Sequence, residues 1–182
     1  MNKTQVSVAT SMLVFAAAFV APAVAATTSY TASLSKLGEP VPTSPGTGSA
    51  LVVLDDTALT IDVLVNFANL TTNASAGHIH CCTAVAGTGS IGVAQGFTGF
   101  PSVTSGTYAN VFTLNAASFA TLAAGIAAGK AYVNIHSPGL YAGGEIRGFL
   151  TAAIPEPETY ALMLVGLAAL GAVTRARQAQ GN

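Results

Sequence analysis

Through the middle of the chain, apolar and polar residues alternate with a period of two. The clearest run places Leu59, Ile61, Val63, Val65 and Phe67 on one side, the signature of a strand buried on one face. Shorter runs at residues 30–34, 50–54, 77–82, 108–114, 130–136 and 145–150, separated by Gly, Pro or Asn, predict further strands. About seven strands with turn residues between them predict a mainly β fold, an antiparallel Greek-key-like sandwich or barrel. One stretch changes period. Asn115 can cap a helix, Phe119, Leu122 and Ile126 recur at helical spacing, and Gly129 can end it, which predicts one short helix between two strands. Residues 38–48 and 87–101 read as turn-rich connections, and Asp55-Asp56 before Thr57 as a turn.

Both ends abandon the alternation. Residues 1–25 carry Lys3, an apolar run from Met12 to Val20, and Ala23-Val24-Ala25. That order of charge, apolar core and small-residue site is a secretory signal, with cleavage between Ala25 and Ala26 by signal peptidase. At the other end Pro155-Glu156-Pro157 precedes an apolar run from Tyr160 to Val173, followed by Arg175 and Arg177. The prolines lack backbone donors and disfavour helix before them, so this element stays extended and accessible. The arginines favour the cytoplasmic side. The run is short for a bilayer, which takes about 20 apolar residues, but it suffices for transient membrane insertion if Arg175 snorkels and Tyr160 sits at the interface. The chain therefore divides into a signal helix at 1–25, one domain at 26–152 and a tail helix segment at 153–182.

Composition sharpens this division. Apolar residues make up 51% and charged residues 7%, against roughly 25% charged in an average soluble protein. Six basic and seven acidic side chains give a net charge of -1, which provides no electrostatic footprint for nucleic acid. No nucleophile elbow, zinc-protease helix or phosphate loop is present, so the reading is non-enzymatic.

The candidate chemistry lies in the strands. Alternation puts His78, His80 and Cys82 on one face, Tyr132, Asn134 and His136 on one face, and Glu145 with Arg147 on one face. Were these strands neighbours, every histidine of the chain would share a polar surface with Asn134, Glu145 and Arg147. Two histidines at alternate positions and a third from an adjacent strand can converge on copper or zinc, with Cys82 a weaker fourth candidate and one position open. The same pattern also describes a solvated sheet face, and Glu145 with Arg147 an ordinary ion pair. Cys81 and Cys82 leave three readings open: a vicinal disulfide, two thiols, or links to another chain. A vicinal bridge would require the strand to end at His80.

The blocks HIH at 78–80, YVNIH at 132–136 and GGEIRG at 143–148 resemble the CHRD domain, named after chordin, over roughly residues 30–150. The tail, over 154–178, resembles the PEP-CTERM signal of Gram-negative bacteria. The first resemblance implies an extracellular β domain without a settled activity. The second implies recognition of Pro155, Glu156 and Pro157 by an exosortase and sorting to the cell surface or matrix, where extracellular polysaccharide or surface proteins are the expected partners. The H-x-H strand in a β sandwich also invites comparison with copper-zinc superoxide dismutase, but three histidines are too few for a dinuclear centre; a mononuclear copper redox site is the enzymatic alternative.

Overall fold

The computed structural model describes residues 27–36, 43–153 and 157–179. Strands β1 (Thr27–Ser35), β2 (Thr47–Asp55), β3 (Thr60–Ala68), β4 (Ala76–His80), β5 (Val93–Gly96) and β6 (Gly106–Thr113) precede helix α1 (Ala116–Ala127). Strands β7 (Tyr132–His136), β8 (Ile146–Phe149) and β9 (Thr151–Ala152) and helix α2 (Pro157–Ala179) follow. The strands form one antiparallel sheet in the order β5-β4-β7-β8-β1-β2-β3-β6, with β9 added to β1, curled into a half-barrel.

Alternation decides which side of this sheet is core. Leu54 pairs with Ile61, Val52 with Val63 and Ala50 with Val65, and all six are buried. Helix α1 belongs to the same cluster through Phe119, Leu122 and Ile126, each stabilising by about 1.5–3 kcal/mol through burial. Its ends are set as its sequence predicts. Asn115 Oδ1 accepts from the Ser118 amide at 2.9 Å, and Gly129, at φ +66°, takes the left-handed turn that stops the helix.

The architecture is mainly β and antiparallel, and the departures from expectation have local causes. Nine strands form instead of about seven. β5 is four residues long inside the 87–101 connection, and β9 has only two, too few for a period to register. The 77–82 run ends early, at His80, because the next two residues are joined through a Cys81–Cys82 disulfide. The last run starts late, at Ile146, because Gly144 at φ +132° turns the chain just before Glu145. Leu59, expected in β3, precedes it at φ 55° in the turn that Asp55 Oδ1 closes by accepting from the Thr57 and Ala58 amides.

The proposed export signal, including Ala25 and Ala26, lies outside the described residues, as do Pro155 and Glu156. Pro157 begins α2. The side chains described on that helix, among them Leu162, Leu164, Val165 and Arg175, are exposed. Among the described residues no helix is long and apolar enough to cross a membrane.

Candidate metal centre

Strands β4, β7 and β8 are neighbours, and their register assembles the site. His78 stands opposite Asn134, which stands opposite Arg147; His80 stands opposite Tyr132, and Ala76 opposite His136. Residues at these paired positions leave the sheet on the same side, so the three histidines, Tyr132, Asn134 and Arg147 share a face. Gly77, between Ala76 and His78, keeps the opposite side clear: a Cβ there would lie 2.7 Å from Phe97 and Phe100, two rings of the aromatic cluster against the core.

One ring nitrogen from each of His78, His80 and His136 lies within 4.8 Å of the other two. The ring centres of His78 and His136 are 4.9 Å apart, those of His78 and His80 5.7 Å, and those of His80 and His136 6.0 Å. Two of the rings are oriented by backbone carbonyls. His80 Nδ1 lies 2.7 Å from the Ile91 oxygen and His136 Nδ1 lies 2.9 Å from the Ala142 oxygen. A carbonyl only accepts, so each Nδ1 must carry a proton, and in the neutral ring each Nε2 then presents a lone pair. Those two Nε2 atoms and His78 Nδ1 are buried with no hydrogen-bond partner. Such outer carbonyl contacts are what fix tautomer and ring direction in metal-binding histidines.

The surroundings favour the neutral form of His78 and His80. The His78 pKa is lowered to about 4, first by burial and then by the neighbouring His136 and His80. Burial also lowers that of His80, against the raising effect of the Ile91 carbonyl, with His136 and Arg147 adding to the lowering. A neutral imidazole is the form that binds metal. Tyr132 stacks on His80, with centres 4.7 Å apart and planes within 3°, and its hydroxyl lies 3.3 Å from both the Ile91 amide nitrogen and the Ile91 carbonyl oxygen that His80 contacts. The guanidinium carbon of Arg147 lies 4.9 Å from the Tyr132 ring centre, and its Nη1 donates to Ser90 Oγ at 3.0 Å.

Two residues expected on this face are elsewhere. Glu145 is wholly buried, and its carboxylate accepts from Ser44 Oγ and the Thr71 amide, each at 2.6 Å, and from Ser137 Oγ. Burial alone would raise its pKa, but donation from Ser137, Ser44 and Thr71 outweighs it and holds the carboxyl below its ordinary value. Cys82 is tied to Cys81, and both sulfurs press on Gly125 of α1, where any Cβ would collide with them. Neither residue belongs to the histidine group. A cavity of about 320 Å³ lined by Cys81, Leu114, Thr121 and Leu122 contains none of the histidines. Strand parity finds Tyr132; nothing in the sequence marks the carbonyls of Ile91 and Ala142, since a backbone acceptor carries no residue signal.

The fold and this face define an antiparallel β domain that gathers three histidines on one side of its sheet. The CHRD domain family model matches residues 30–150, which includes all three histidines, and the chain belongs to that family. Residues 153–178 match the PEP-CTERM protein-sorting motif, which marks the chain for export and exosortase-mediated sorting to the surface of a Gram-negative cell. Comparison with curated proteins and with solved structures gives no match.

Proposed function

We propose that this protein is a surface or matrix module, released from its tail after sorting, whose CHRD domain (residues 26–152) acts by holding one copper or zinc ion at His78, His80 and His136. The carrying observation is that one nitrogen from each of the three imidazoles lies within 4.8 Å of the other two, and that each ring also has a buried nitrogen without a partner. Unpartnered buried polar atoms are rare and ask for an explanation; a cation among the three imidazoles supplies one. Bonds of about 2.1 Å to a single ion would set tetrahedral nitrogens roughly 3.4 Å apart, so the rings need turn inward only slightly. An all-nitrogen set favours copper and zinc over magnesium or calcium, which take oxygen ligands. With Glu145 engaged elsewhere, no carboxylate joins the group among the described residues.

Isothermal titration of the full chain in detergent with Cu(II) and with Zn(II) tests this. One ion per chain is expected, lost in His78→Ala, His80→Ala and His136→Ala alike; absence of binding to the wild type overturns the reading. The surface assignment is tested separately, by fractionation of the host: the mature domain should be outside the cytoplasm and free of residues 157–179.

A further inference from the structure

Asn134 is 2% exposed, and its Oδ1 is buried with no hydrogen-bond donor. Its position is not incidental to the histidines. It faces His78 across the β4–β7 pair and is two residues from His136 on the same side of β7. A carboxamide oxygen is an acceptor only, so in this place it asks for an O–H or N–H that the protein does not provide. Three nitrogen ligands leave a position open on the ion. His78 and His136 are only half-buried, so that position is within reach of solvent.

We propose, resting on the metal reading above, that Asn134 is a positioning residue for the ion's exogenous ligand: its Oδ1 accepts a hydrogen bond from a water, hydroxide or alcohol bound in the open position. Water on a divalent metal is polarised and donates strongly, so it satisfies both the ion and the buried oxygen. The consequence is selectivity. Ligands that keep a proton on the coordinating atom satisfy Asn134. Aprotic anions such as azide displace the donor and leave Oδ1 facing a second lone pair.

The probe is azide titrated into the Cu(II)-loaded full chain and followed by its charge-transfer absorption. Asn134→Leu should bind azide about tenfold more tightly than the wild type, the scale of one buried hydrogen bond, with Cu(II) affinity changed less than threefold. Equal azide affinity in the two proteins overturns the proposal. A fall in Cu(II) affinity of tenfold or more also overturns it, since Asn134 would then be a direct ligand. Should the leucine variant not fold, proton ENDOR of wild-type Cu(II) protein in H2O and D2O decides instead. A strongly coupled exchangeable proton is expected, and its absence overturns the proposal. If no copper binds at all, the metal reading has failed; if copper binds and these outcomes are negative, only the role of Asn134 has.

Discussion

Two polar constellations meet where β7 passes into the β7–β8 connection, at His136 and Ser137, and they are opposites. The Glu145 knot is closed: the carboxylate is wholly buried and takes donors from Ser44, Thr71 and Ser137. His136 of the histidine cluster directly precedes Ser137, and that cluster leaves His78 Nδ1, His80 Nε2 and His136 Nε2 without partners. A saturated buried group serves the fold, tying the 43–46 segment and Thr71 to the sheet. An unsaturated one reserves its bonding capacity for something outside the chain.

The largest effect expected from this contrast is on stability. Glu145→Ala strands two hydroxyls and an amide, and should cost about 3 kcal/mol or more, seen as a lower midpoint in urea. The copper stoichiometry of the folded fraction should stay at one. If Glu145→Ala instead removes copper and spares stability, the contrast is reversed. Next in size, His80→Ala should abolish the copper isotherm while lowering the urea midpoint of the metal-free protein less than Glu145→Ala does, because the ring's hydrogen bond is to the Ile91 carbonyl alone.

Acid should separate the two clusters without mutation. The folded His78 titrates at about 4, whereas an imidazole in the unfolded chain titrates near 6.5. Between these values the unfolded state binds more protons, so the metal-free protein loses stability as pH falls from about 6.5 towards 4. His80 is shifted in the same direction. Glu145, held below its ordinary value of 4.5, contributes stability above that range and gives it up only as pH drops through its folded value. Denaturation followed against pH should therefore show an upper phase that His78→Asn diminishes and a lower phase that Ser137→Ala diminishes. A single phase insensitive to His78 would contradict the assignment. The smallest effect is Ser44→Ala, which removes one of three donors and should cost about 1 kcal/mol.

The legibility of these features in sequence follows from how each is encoded. Residues buried by alternation, such as Ile61, Val63 and Val65, were readable because each side chain reports its own environment, and His78, His80 and His136 were placed on one face by the same parity. Parity failed where the strand did. Extending β8 by one residue put Glu145 with Arg147, but Gly144 redirects the backbone and sends the carboxylate into the knot. Extending β4 past His80 likewise misplaced Cys82. The four residues of β5 could not be read because Val93 and Ala94 are exposed and Gln95 and Gly96 are only half-buried, which leaves no pattern. The partners that saturate Glu145 are 8 to 101 residues away from it, a separation no local rule spans.

Because the carbonyl that orients His80 belongs to Ile91, eleven residues downstream, the surface excursion between them works as a tether whose foot matters and whose tip does not. Lengthening it at the exposed Thr88 and Gly89 should be silent. Deleting a single residue next to Ile91 would leave the strands paired and still let the imidazole swivel.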